Sequence, residues 1–267
     1  MRNKILLFAF LLTATLQAQT KVWFDTDLMI GMPDKTPREV DDGITLIMAL
    51  KQPQIKIVGI SSITYKGSPN GDDLGKENDG TKALYEALKK EKLTILALGP
   101  MTNIATLIQN HPDIIPQIEK ISICAARTPG MTFSPGHGKL NVFDYNYEFD
   151  YKSMDIVLGS NIPLVFAGSY TFIGNIDLAS LDQNEEADKW LFDIVQPWME
   201  KNEKFFGVRG FIPFDCSTLG VITHPDYFTY YKNIPIKVNY RKNDALTVQP
   251  NVPFKNFLEV SYKYKTK

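Results

Sequence analysis

The sequence predicts a single α/β domain built on an open, mostly parallel central sheet flanked by helices. Three observations carry that expectation. Short apolar runs rich in strand formers alternate with helical stretches along most of the chain. No internal repeat, low-complexity linker or Pro/Gly-rich boundary divides it. With 267 residues, 44% of them hydrophobic, the chain can bury one sizeable core.

The first element is a processing signal. Arg2 and Lys4 precede an apolar run from Ile5 to Leu12, and small and polar residues follow up to Ala18. That order is a secretory signal peptide over residues 1–19, with a run too short for a membrane span. The mature domain is then 20–267, exported to a periplasmic or extracellular space, with no stable membrane insertion once the signal is removed.

Within it, 21–27 (KVWFDTD) reads as a strand, and 28–39 (LMIGMPDKTPRE) as a loop because of its glycine, prolines and charges. A helix runs from Asp41 to Leu50, a strand over 55–64, and a charged helix within 75–90 places Leu84, Ala87 and Leu88 on one face. A third strand at 93–98 leads into a helix over 102–110, then a strand over 120–125. The stretch 127–149, rich in Gly, Pro and aromatics, reads as an extended loop. A helix at 150–158, a strand at 163–168, an amphipathic helix at 185–206, a short helix at 215–222 and strands at 234–240 and 257–264 complete the chain.

Charge and cysteines narrow the function. Lys+Arg total 29 against 30 Asp+Glu, a net charge of −1. No global positive field exists to hold nucleic acid or an anionic membrane, and a small-molecule partner fits that balance. In an oxidising compartment Cys124 and Cys216 could pair; the other reading is two small buried hydrophobes.

The chemistry-bearing residues are acidic. Asp25 and Asp27 end the first strand, and Asp41 and Asp42 open the next helix. In an open α/β sheet the ligand crevice lies at the carboxyl ends of the strands, so these four carboxylates are expected to converge there. Carboxylates so close repel one another unless protons or a cation intervene, and clustered oxygens suit a hard divalent cation. The alternative for Asp41 or Asp42 is a helix cap, and for Asp25 a strand-end turn. A second segment, 96–105 (LALGPMTNIA), closes a strand and starts a helix at Thr102 or Asn103; its carbonyls could face the same crevice. In 144–150 (DYNYEFD), Asp144 accepts hydrogen bonds and Asn146 both donates and accepts, the mixture sugar hydroxyls need. Asp215, in FDCSTLG, could cap a short helix or supply a late carboxylate to the metal. His111 and His224 precede prolines as helix-end turns, while His137 lies in the middle loop, where it could reach a leaving group; the other reading is a solvated loop histidine.

Taken together, FDTD, VDDGITLIMAL, LGPMTNIA, DYNYEFDYKSMDIVL, PFDCSTLGVITHPDYF and the tail QPNVPFKNFLEVSYKY resemble the inosine-uridine-preferring nucleoside hydrolase family. The resemblance implies a nucleoside hydrolase-like, Rossmann-like fold and calcium-dependent hydrolysis of the N-glycosidic bond of a ribonucleoside or related riboside. It implies that Asp27, Asp42 and Asp215 hold Ca2+ through carboxylates and Thr102 through its backbone carbonyl. Asp27 would also be the general base, Asp41, Asp144 and Asn146 would bind ribose hydroxyls, and Asp25 would stand behind the metal. Dimers or tetramers are the family's common assemblies. The departures lie mostly on the base-binding side: a longer loop 28–39, no His-Gly region before GPMTNIA, Asp144 for the family's Glu, Phe214 for its frequent His, and Cys124-Ala125-Ala126 for Met-Gly-Gly.

Other functions fit part of this pattern. Phe214 suits a calcium-dependent sugar or nucleoside binder with little turnover. FDTDLM also resembles the strand end of haloacid dehalogenase-type phosphatases, with Asp25 as nucleophile, Asp27 as acid/base and magnesium, but that leaves GPMTNIA and NYEFD unexplained. No GxGxxG follows the first strand, which disfavours a nicotinamide enzyme.

Overall fold

The structure is a computed structural model. It describes residues 19–29, 38, 40–69, 71–125, 144–167, 182–206, 210, 213–228, 230, 236–238 and 258–260. Residues 1–18 of the expected signal peptide, most of loop 28–39 and His137 therefore lie outside the described residues.

Five strands form the central sheet: β1 (Thr20–Thr26), β2 (Ile55–Ser62), β3 (Leu93–Ala97), β4 (Ile118–Ile123) and β5 (Leu164–Phe166), in the order β2-β1-β3-β4-β5. Every pairing is parallel. The crossovers run through α1 (Asp41–Leu50), α2 (Asp79–Leu88), α3 (Thr102–Asn110), and the pair α4 (Tyr145–Glu148) and α5 (Tyr151–Leu158). This is the α/β architecture the alternating pattern predicts. β3 is buried at every residue, as a central parallel strand covered on both faces must be.

Alternation along the strands splits the core in two. Trp23, Ile95, Ala97, Ile121 and Ile123 join Leu84 and Leu88 of α2, Ile104 and Leu107 of α3, and Met154 and Val157 of α5. Val22, Phe24, Leu96, Leu98 and Cys124 join Ala49 of α1 and Leu219 of α7 (Phe214–Thr223). A third cluster packs Val195 and Met199 of α6 (Glu186–Phe206) against Val40, with Ile44 of α1 alongside. Burial at roughly 25 cal/mol per Å² of apolar surface makes these contacts the main force holding the helices on the sheet.

The sequence expectation differs from the structure in three places. The stretch read as an extended loop over 127–149 ends in the short helix α4, started by the Asp144 side chain accepting from Tyr147 N at 3.3 Å. The charged helix within 75–90 begins only at Asp79, where Asn78 and Thr81 form a reciprocal capping box. The last two strands, β6 (Ile236–Val238) and β7 (Leu258–Val260), pair antiparallel with each other in a separate ribbon. Among the described residues, no helix is long and apolar enough to cross a membrane.

The strand order sets the site. From β1 the chain moves outward to β2, then returns past β1 to β3 on its other side. The order reverses between β1 and β3, and the crevice at their carboxyl ends is where an open sheet binds its ligand. Asp27 follows β1, and Gly99-Pro100 follows β3.

Candidate metal centre

Three acidic side chains gather at that crevice. Carboxylate oxygens of Asp41, Asp42 and Asp215 lie within 4.8 Å of one another, and all three residues are buried. Asp41 and Asp42 are the first residues of α1; Asp215 is the second of α7. Packing of α1 on α7 brings together positions 174 residues apart, and Asp215 N donates to Asp41 Oδ2 at 3.4 Å. The capping alternative for the α1 pair does not hold: the N-cap is Val40, and no side chain caps it.

Asp27 stands beside this triad. Burial holds its carboxyl well above the usual range, and repulsion from Asp42, Asp41 and Asp25 adds to that. Asp215 is pushed well up by burial and then by Asp41 and Asp42. Burial also raises Asp42, against the lowering effect of the Thr26 hydroxyl, which donates to Asp42 Oδ1. Thr26 in turn accepts from Leu28 N at 3.1 Å, so the middle residue of DTD orients Asp42. Sequence reasoning passed over Thr26 because a hydroxyl between two aspartates carries no spacing signal of its own. Asp27, Asp42 and Asp215 interact with the Thr26 hydroxyl, the Cys124 thiol, backbone groups, the carboxylates of Asp25 and Asp41, and one another.

Asp25 sits beneath the centre and is fully buried. Its Oδ1 accepts from Asn103 Nδ2 at 2.9 Å and from Ser61 Oγ, and Trp23 Nε1 donates to Ser61 Oγ at 2.7 Å. Among the described residues its Oδ2 has no hydrogen-bond partner, and burial pushes the carboxyl up to about 6. The Asn of GPMTNIA thus reaches back to β1 and ties α3 to the strand that carries Asp25 and Asp27.

Gly99 lets the β3 turn close on Asp27. A Cβ there would stand 2.9 Å from Asp27 N, 3.0 Å from Asp27 Oδ1 and 3.0 Å from Ile63 Cγ2. Gly99→Ala therefore displaces Asp27. A shift of order 1 Å in a reacting group can cost roughly a hundredfold, so kcat/KM should fall by about that factor while the circular dichroism spectrum is kept.

The remaining predicted residues are less gathered. The Thr102 hydroxyl donates to Asp150 Oδ2 at 2.6 Å. Asn146 Nδ2 donates to the carbonyls of Leu98 and, at 2.8 Å, Cys124, bridging the ends of β3 and β4. Asp144 caps α4 as described. Cys124 and Cys216 are both free thiols, and Thr45 Oγ1 donates to Cys216 Sγ at 3.3 Å. His111 pairs with Glu77 at 2.5 Å and stacks on Tyr85, and His224 closes α7, both as helix-end residues. At the rim, Tyr145 stacks on Phe149 at 4.9 Å and meets Tyr65 at 6.1 Å, with the Lys66 ammonium over Tyr65 at 5.4 Å. Sequence reasoning did not single out Tyr65 or Lys66, since only the fold brings the loop after β2 to α4.

The sequence profile described as inosine-uridine preferring nucleoside hydrolase matches residues 64–254. The chain belongs to that family. It is accordingly a hydrolase acting on the N-glycosyl bonds of ribonucleosides, in a family that depends on a divalent cation. A probable uridine nucleosidase from Oryza sativa subsp. japonica is 22% identical, over 73% of this chain and 77% of the relative. A pyrimidine-specific ribonucleoside hydrolase from Salmonella paratyphi B is 23% identical, over 74% and 69%. The fold is shared with a purine-preferring ribonucleoside hydrolase from Gardnerella vaginalis, with a TM-score of 0.62 and 19% identity over 82% and 84% of the two chains. The profile match begins after β2, so Asp25, Asp27, Asp41 and Asp42 lie ahead of the matched stretch. Family membership sets aside the phosphatase alternative drawn from FDTDLM.

The residues present fit a divalent cation. The donors are all oxygens, they are buried, and they raise one another's pKa in the absence of compensating charge.

Proposed function

We propose that this hydrolase depends on calcium, held by the carboxylates of Asp27, Asp42 and Asp215 and the backbone carbonyl of Thr102. The observation that carries the reading is the convergence of Asp42 and Asp215, with Asp41, inside 4.8 Å beside Asp27. Clustered oxygen donors are the ligand set that calcium takes, with loose geometry.

Calcium, when bound, would lower the pKa of the attacking water. The chain's own residues do the rest. Asp27 takes the proton from that water as general base. Asp41, Asp144 and the Asn146 carbonyl oxygen accept hydrogen bonds from the ribose diol, since the Asn146 amide nitrogen is already committed to Leu98 and Cys124. Holding the diol turns the anomeric carbon toward the water. Positive charge develops on the ribose ring as the bond to the base breaks, and the surrounding carboxylates stabilise it. Tyr65, Tyr145 and Phe149 offer a flat apolar rim for the departing base. Export by the segment 1–19 would place this reaction outside the cytoplasm.

A panel of purine and pyrimidine nucleosides tests the reading, because the named relatives divide between the two preferences. Free reducing sugar is followed with calcium present and after chelation. We expect release from at least one riboside with calcium and none without it. Release that survives exhaustive chelation contradicts the calcium requirement. A ligand-induced thermal shift with no sugar released would leave only binding.

A further inference from the structure

Asp150 is fully buried, yet it lies outside the acidic cluster. Its oxygens gather donors from three separate segments. Thr102 Oγ1, at the start of α3, donates to Oδ2 at 2.6 Å. Ser153 Oγ, in the first turn of α5, donates to Oδ1 at 2.6 Å. The backbones of Thr102 and of Ser68, in the loop after β2, also favour the ionised form of this carboxylate. The loop approaches closely because residue 67 is glycine. Gly67 has φ +56, and a Cβ there would stand 2.5 Å from Asp150 Oδ2 and 2.6 Å from Pro100 Cβ.

The start of α3 needs such a partner. Its N-cap is Met101, which has no side-chain cap hydrogen bond. The first N–H groups of a helix lack intrahelical acceptors, and a carboxylate there also meets the positive end of the helix dipole. Asp150 brings a carboxylate to that helix start from 48 residues away and holds Thr102 by its hydroxyl.

We infer that Asp150 is a positioning residue that holds Thr102, and with it the carbonyl proposed to face calcium, from outside the helix. The inference rests on that proposed calcium reading. Asparagine does not reproduce the carboxylate, because it has one acceptor oxygen where Thr102 and Ser153 each donate to a different oxygen.

The test compares calcium affinity by calorimetric titration in the wild type, Asp150→Asn, Thr102→Val and Thr102→Ser. Removing a group that orients a metal ligand typically costs roughly 10–100-fold in metal affinity. We expect a loss in that range for Asp150→Asn and Thr102→Val, recovery in Thr102→Ser, which keeps the hydroxyl, and no further loss in the double variant. Turnover at saturating calcium should return toward the wild-type value in Asp150→Asn. A folded Asp150→Asn that melts lower under chelation but binds calcium as tightly as the wild type overturns the inference and leaves the calcium reading standing. A wild type that binds no calcium overturns both. If Asp150→Asn does not fold, Thr102→Val decides: wild-type affinity in that variant overturns the inference, and a loss rescued by Thr102→Ser supports it.

Discussion

Asp27→Asn abolishes ribose release and at the same time makes the calcium-free protein more stable. Both effects come from one carboxylate. In the proposed roles of general base and cation ligand, Asp27 would contribute to water activation twice, so kcat/KM should fall by at least about a thousandfold. In the absence of the ion, the same group is half-buried and repelled by Asp42, Asp41 and Asp25. A neutral, nearly isosteric amide relieves that repulsion, so the melting temperature under chelation rises. A structural role alone would give the opposite sign, because removing a needed buried group lowers stability. Sugar release and melting curves on the same preparation check both. A variant that keeps wild-type turnover removes Asp27 from the chemistry.

The second large effect is a reversal in how pH acts on stability. Burial holds Asp25 and Asp150 at about 6 in the folded chain, above the roughly 3.9 of an exposed aspartate. Between those values the folded state binds more protons than the unfolded one, so stability falls as pH rises through about 6. Asp27, Asp42 and Asp215 shift in the same direction. Chelated protein should therefore melt higher at pH 5 than at pH 7.5, by an amount on the order of 1 kcal/mol for each group near 6. Bound calcium reverses the preference of Asp27, Asp42 and Asp215, because it favours their ionised forms. With calcium in excess, melting temperature should instead fall as the pH drops from 7.5 to 5, and at pH 7.5 an ion at a hundred times its dissociation constant adds about 2.7 kcal/mol. Parallel pH profiles with and without calcium would contradict the account.

Much of the fold is legible in the amino-acid order. The apolar runs around Phe24, Ile95 and Ile121 announce strands buried on both faces, and Asp41 marks the first residue of its helix as observed. The acidic motifs are legible too, because carboxylates crowded into one crevice are costly without a cation. The pairing of side chains is not. Nothing in the spacing shows that Asn146 spends its amide on the ends of β3 and β4, or that Asn103 reaches Asp25, since both bonds cross between elements distant in sequence. Asp150 reads in the sequence as the first residue of its own helix, and only the fold reveals that it is the N-cap of α5 and reaches the start of α3. Tyr65 and Lys66 meet Tyr145 and Phe149 through a loop whose path no periodicity encodes.

The central claim is that a single divalent ion draws Asp27, Asp42 and Asp215 together at the reversal point of the sheet. A crystal of the protein soaked in calcium, with anomalous data, tests it most directly. The account predicts one site with an oxygen from each of those residues about 2.3–2.6 Å from the ion. An ion bound elsewhere, or Asp215 turned away from Asp27 and Asp42, contradicts it.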